Sequence, residues 1–216
     1  MKLLIITNYN HKVSQQLIKY LEFKKINFDH IDSSKKKKIK IIKKYDYLIS
    51  FLNPMYIDKK VRKKIKINSF NFHPGPPEYP GFGCYNFALL DKVSVYGSTI
   101  HMIDDKFDNG KILHVNRFKV SYKKLNLEKL ISMTHKSIIK QAKDFINDIL
   151  NEQLKINDKL KWKKKAFTKK EFEIEREIKL NDSKKRILKK IKAFTYKDYE
   201  SVYINLKGFK FEFKKK

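Results

Sequence analysis

Residues 67–83 read Ile67-Asn68-Ser69-Phe70-Asn71-Phe72-His73-Pro74-Gly75-Pro76-Pro77-Glu78-Tyr79-Pro80-Gly81-Phe82-Gly83. The run from Ile67 to Phe72 predicts a strand, and it stops against the Pro/Gly-dense part of the chain. Four of the five prolines and three of the six glycines lie in residues 74–83, so the stiffness of this loop is local. In a strand, residues two apart point to the same side, which puts Asn71 and His73 on one face. At the carboxyl edge of a parallel sheet that face opens onto the crevice where ligands bind. An imidazole beside an amide donor, held by a rigid loop, suits an acyl-transfer centre. His73 can accept a proton and the Asn71 amide can hydrogen-bond a developing oxyanion. The pair lacks a group to orient the imidazole. Asp108, in the turn before Asn109-Gly110, supplies it if that loop folds back over the strand end.

Upstream of this stretch the chain alternates strand and helix. Lys2 to Thr7, Ile26 to Ile31 and Tyr47 to Phe51 predict strands, and Val13 to Phe23 has Val13, Leu17, Ile18 and Leu21 at helical spacing. Asp32-Ser33-Ser34 offers a cap before Lys35 to Lys44, whose Ile39, Ile41 and Ile42 give a thin apolar face. Pro54 is expected to open a short helix, Met55 to Ile65. This order implies right-handed crossovers and a mostly parallel, Rossmann-like α/β sheet with flanking helices. Downstream, Val95 to Ile103 and Lys111 to Val120 read as strands, joined by Asp104-Asp105-Lys106-Phe107-Asp108-Asn109-Gly110. A long amphipathic helix, Leu127 to Leu150, follows.

The rest reads as a small helix and hairpin element, which divides the chain into a catalytic domain at 1–155 and an appendage at 156–216. Asn181-Asp182-Ser183 caps a helix through Lys192. Val202-Ile204-Leu206 and Phe209-Phe211-Phe213 alternate on either side of Lys207-Gly208, a hairpin signal. A lone hairpin cannot stand by itself, so it must pack on the domain or on a second subunit; a homodimer is the expectation. The single tryptophan, Trp162, is expected to pack the junction to this tail.

The 216 residues suffice for one domain and an appendage, and a hydrophobic share of 41% rules out global disorder. Cys84 is the sole cysteine, so no intrachain disulfide forms. No apolar run approaches a membrane span or a signal-peptide core, and the expectation is a soluble, cytoplasmic protein without membrane partners. His11, His30, His114 and His135 show no metal-ligand spacing, no metal is expected, and no phosphate loop follows the first strand. Lys and Arg number 51 against 23 Asp and Glu, a net charge of +28. The excess is spread along the chain and is nearly all Lys, which reads as composition drift rather than as a nucleic-acid reader.

Asn71-x-His73 with its Pro/Gly loop, then Tyr96-Gly97-Ser98-Thr99-Ile100-His101, then Phe107-Asp108-Asn109-Gly110, resembles the 10-formyltetrahydrofolate-dependent formyltransferases. That family includes glycinamide ribonucleotide transformylase, methionyl-tRNA formyltransferase and the sugar N-formyltransferases. The loop His73 to Gly81 is most similar to the sugar branch, as is Lys192-Ala193-Phe194-Thr195-Tyr196 with its hairpin. The resemblance implies the formyltransferase fold and a catalytic triad of Asn71, His73 and Asp108. It also implies 10-formyltetrahydrofolate as donor, held by Met55, Tyr56, Ile57, Pro74, Gly75, Pro76 and Pro77. The acceptor would be the amine of a dTDP- or UDP-linked amino-deoxy sugar destined for a glycan, with Tyr79, Phe82 and His101 as candidate contacts. The chain before Asn71 is shorter than the family's, so Ser33 to Tyr45 is expected as a stunted crossover. Methionyl-tRNA formylation is the alternative within the family, and purine-pathway formylation a weaker one, since the loop is of another type. A basic, non-catalytic nucleic-acid binder on the same fold is the alternative outside enzymes.

Overall fold

All five side chains of β1 (Leu3–Thr7) are buried, so both faces of the sheet around it need cover. The computed structural model describes residues 1–154, 159–197 and 199–214. After β1 come α1 (Lys12–Phe23), β2 (Phe28–Asp32), β3 (Tyr45–Phe51), α2 (Lys59–Arg62) and β4 (Ile65–His73). Next are α3 (Cys84–Leu90), β5 (Val95–Met102), β6 (Ile112–Lys119) and α4 (Leu127–Leu150), then α5 (Lys169–Arg176), α6 (Lys184–Phe194), β7 (Tyr203–Leu206) and β8 (Phe209–Glu212). The main sheet has the order β2-β1-β3-β4-β5-β6. Its first four strands are parallel, β5 is antiparallel to β4, and β6 to β5. The change from parallel to antiparallel pairing therefore falls at β4, the strand that carries Asn71 and His73.

One face of the sheet presents Leu3, Ile5, Ile49, Phe51, Phe70 and Phe72 to Leu17 and Ile18 of α1 and to Ile138, Phe145 and Ile149 of α4. Each of these side chains contributes about 1.5–3 kcal/mol by leaving water. Leu130, Thr134, Ile138, Phe145 and Ile149 recur along α4 at helical spacing, and Asn126 caps it by accepting from the Lys129 amide. The other face, with Leu4, Ile6 and Leu48, meets only Ile39, Tyr45, Ile57 and Val61 among its buried partners. Alternation places Asn71 and His73 on this thinly covered side.

The crossover after β2 is stunted, as expected, and three other elements differ from the sequence expectation. The crossover after β2 is a single tight turn, Ser33–Lys35, capped by Asp32. Ile39 is buried while Ile42 is 92% exposed, so no apolar face runs long enough to form a helix. The helix expected from Met55 to Ile65 shrinks to α2, because Asn53 closes a side-chain turn onto Met55 and Asp58 provides the cap. α3 was not expected. Its buried residues lie on nearly every side, so it has no amphipathic period to read. α5, with a Thr168–Glu171 capping box, was not expected either.

The tail does not stand apart. Ala193, Phe194 and Val202 share a buried cluster with Tyr79, Cys84, Ala88, Tyr96 and Leu130. The Asn86 side chain in α3 donates to the Ala193 carbonyl at 2.8 Å. The boundary at 155/156 itself lies outside the described residues.

Candidate functional site

The β4–β5 register pairs Asn71 with His101 and His73 with Thr99, so these side chains share one face at the end of β4. Asp108 reaches them from the β5–β6 loop with a left-handed backbone, φ 42°, a conformation Asp tolerates better than bulky residues do. Its two oxygens are divided. Oδ2 accepts from His73 Nδ1 at 3.0 Å and from the Gly81 amide at 2.8 Å. Oδ1 lies 3.1 Å from His101 Nε2 and 3.3 Å from Asn71 Nδ2. The Asn71 amide also lies 3.1 Å from His101 Nε2. The structure thus brings Asn71, His73 and Asp108 together and adds His101 to the cluster.

His73 is buried, and its second ring nitrogen, Nε2, lies 2.8 Å from the Tyr79 carbonyl. A carboxylate on one nitrogen and a carbonyl on the other require both to donate, so the arrangement holds an imidazolium. Burial by itself would lower the ring's pKa. The Asp108 charge, the bond to Asp108 and the Tyr79 carbonyl outweigh burial, and the pKa is raised. For Asp108, burial pushes upward, but the His73 charge and the bonds from His101 and His73 hold the carboxyl well below its ordinary range.

The Pro loop is a wall built from its own carbonyls. Thr99 donates to Gly75 O, the Tyr79 amide to Pro76 O, and the Lys163 amide to Pro77 O. Gly75, Pro76 and Pro77 are buried and only Pro74 of the four is half-buried. Tyr79, expected as a ligand contact, is 6% exposed, bonds Asp91 through its hydroxyl and stacks on Phe167. Its side chain pins the loop, leaving Phe82, 47% exposed and edge-on to Phe172, as the aromatic turned toward solvent. On the far side, Met55 and Tyr56 lie on the loop after β3. Tyr56 bonds the Asp105 carbonyl and touches Phe107, whereas the Ile57 side chain belongs to the core. Arg62 pairs with Asp105 and fixes the same junction.

Trp162 is placed differently from the expectation. It sits against the cluster, ring centroids 5.8 Å from His73 and 5.1 Å from His101. Nothing in its neighbourhood of lysines signals this in the sequence. Cys84 is buried and its thiol pushed up to about 12 by burial, which leaves it inert. His11 and His135, far apart in sequence, are in ring contact at 5.8 Å. Among the described residues no group of three His, Cys, Asp or Glu side chains could hold a metal, and no helix is long and apolar enough to cross a membrane.

Fold and site together define an α/β protein with a buried His–Asp–Asn cluster at the edge where its sheet turns from parallel to antiparallel. The formyl transferase family model matches residues 10–142, and the chain belongs to that family. A sugar N-formyltransferase from a Shewanella species shares the fold with a TM-score of 0.80 at 18% identity, covering 99% of this chain and 96% of that one. An N-formyltransferase from Helicobacter canadensis, solved with folinic acid and dTDP-3-aminofucose, superposes with a TM-score of 0.69 at 18% identity over 96% of this chain and 84% of that one. The methionyl-tRNA formyltransferase of Finegoldia magna is 24% identical over 117 residues, which are 54% of this chain but only 36% of that protein.

Proposed function

We propose that the protein transfers a formyl group from 10-formyltetrahydrofolate to the amine of a dTDP- or UDP-linked amino-deoxy sugar. The observation that carries this reading is the mutual contact of Asn71, His73 and Asp108 at the end of β4. The folate, when bound, supplies the formyl group. The surroundings fit a flat heterocycle: Tyr56 and Phe107 are 42% and 55% exposed, in ring contact, on the two loops that flank the cluster. Met55, Tyr56 and the Ile57 backbone would hold the donor on one side and Pro74 to Pro77 on the other. Phe82 and His101 would face the acceptor, Tyr79 acting there through the loop it pins.

In this reading His73 first gives up its Nε2 proton to water, and the Tyr79 carbonyl moves off the ring. The free Nε2 then takes the proton that the acceptor amine loses on attack, the donor nitrogen that leaves the formyl carbon takes a proton from water, and the ring returns to its position between Asp108 and the Tyr79 carbonyl. Asp108 fixes the tautomer and balances the charge, and the Asn71 amide donates to the oxygen on which charge develops.

The solved N-formyltransferases align with the tail as well as the sheet, which favours a sugar acceptor. The Finegoldia relative supports methionyl-tRNA as the second reading. Folate release by wild type and His73→Ala, with dTDP- and UDP-amino sugars and methionyl-tRNA offered separately, decides between them. Turnover with a sugar alone, lost in the variant, is the expected result; turnover with tRNA alone sinks the sugar reading. Binding of nucleic acid unaffected by His73→Ala, with steep salt dependence and no turnover, would establish a non-catalytic binder.

A further inference from the structure

Hydrogen bonds hold the His73 ring within its own plane, through Asp108 and the Tyr79 carbonyl. What covers the imidazoles comes from outside the sheet. The Trp162 indole crosses the His73 ring at 71° and the His101 ring at 80°. Its Nε1–H donates to the Gly110 carbonyl at 2.8 Å. Gly110 follows Asp108 by two residues and packs so closely on the Met102 carbonyl that a side chain there would collide with it. The same tail segment is laced to the Pro loop: the Lys163 amide donates to Pro77 O, the Phe82 amide to Phe167 O, and the Phe167 amide to Pro80 O.

We infer that Trp162 is a positioning residue for the His73–Asp108 pair: its ring bears on the imidazole while its N–H anchors the loop that presents the carboxylate. This rests on the formyl-transfer reading only for its effect on rate, since the placement stands independently. A carboxylate held against the ring favours its charged form, so Trp162, by anchoring the Asp108 loop, reinforces the imidazolium that Asp108 holds.

Trp162 is the only tryptophan in the chain, so its emission reports its own surroundings, which include His73 and His101. A protonated imidazole in ring contact quenches indole emission. Its ring contacts are His73 on β4 and His101 on β5; Asp108 on the loop bonds both imidazoles, Tyr79 on the Pro loop meets His73 through its carbonyl, and Cys84 on α3 feels the Asp108 charge, while Lys161 and Lys163 are exposed. Cys84 and Tyr79 are both raised far enough to stay protonated near neutrality. Emission of the full-length protein is expected to rise as pH increases from about 5 to about 10. His73→Gln should remove that transition. A flat profile, or a transition unchanged in His73→Gln, overturns the placement.

For the rate, Trp162→Ala should lower kcat about tenfold with both KM values within about twofold, the scale of one lost aromatic contact. It should also shift the acidic limb of the pH profile to lower pH. Trp162→Phe keeps the ring and should recover most of kcat, which covers the case of an alanine variant that does not fold. Wild-type kcat and pH profile in Trp162→Phe together with Trp162→Ala sink the positioning role. No transfer by wild type to any acceptor, with the emission transition still lost in His73→Gln, overturns the functional reading and upholds the placement.

Discussion

His73 occupies the position of a base that already holds its proton, so its chemistry is gated by ionisation. A raised pKa means that the Asp108 contact stabilises the folded protein fully below the ring's ordinary value of 6.5 and loses that contribution as pH rises through the raised value. Asp108, depressed, contributes fully above its ordinary 3.8 and loses this as pH falls through its lower value. Both contributions are complete between about pH 4 and pH 6.5. Denaturant titrations across pH should show stability declining above that window, and Asp108→Asn should flatten the decline. The same variant should move the acidic limb of kcat to lower pH, because the neutral ring then appears sooner. His73→Ala should cost about 10²- to 10⁴-fold in kcat while leaving the fold measurable by circular dichroism. The sequence allowed Asn71 and His73 to be placed together because alternation in a strand forces it. Asp108 needed a loop to fold back, and the three motifs in order suggested that it does. The Tyr79 carbonyl and Trp162 were not legible: one is backbone, and the other is a lone aromatic among lysines whose partners are 52 and more residues away.

Among the elements, the Pro loop is the least tolerant. A Cβ at Gly75 would lie 2.5 Å from His73 Nε2 and 3.1 Å from the Tyr79 carbonyl. Gly75→Ala must displace the base or the loop, with an expected loss of about 1–3 kcal/mol from overpacking and about 10²-fold in kcat from misplacement. Thermal melts and single-turnover kinetics on one preparation separate the two effects. α4 offers the contrasting case. Asn126→Ala removes the cap on Lys129 and should cost about 1 kcal/mol, with kcat unchanged, since α4 supports the sheet from the face opposite His73. α4 was readable because its apolar spacing persists over 24 residues, and β1 because Leu3-Leu4-Ile5-Ile6 is an unbroken apolar run. α3 and the shrunken α2 were not, because burial on all sides or an Asx turn overrides the local pattern.

On the scale of the whole molecule, one guanidinium holds the tail together. Arg176 is 2% exposed and pairs with Glu173 and Glu200, each at 2.7 Å, with Glu212 at 4.0 Å and the Ser201 carbonyl at 3.2 Å. Three segments converge on it: α5, the stretch before β7, and β8. Arg176→Met leaves these partly exposed carboxylates without their cation and the Ser201 carbonyl without its donor, and should cost about 1–3 kcal/mol, read as a lower midpoint in urea and as earlier proteolysis within 160–214. The shared cluster of Phe194, Val202, Tyr79 and Cys84 makes the tail part of the fold, which the amphipathic hairpin foretold only as a need for some partner. There is a consequence for synthesis, which proceeds in one direction. A ribosome that has emitted Asp108 has made every member of the catalytic cluster. The chain must still grow by roughly a hundred residues, about 5 to 20 seconds of elongation, before Glu212 reaches Arg176. The bonds that secure the Pro loop and the Asp108 loop can form sooner, once Trp162, Lys163 and Phe167 are made, so the nascent protein positions its catalytic cluster after its side chains are present and before its tail is pinned.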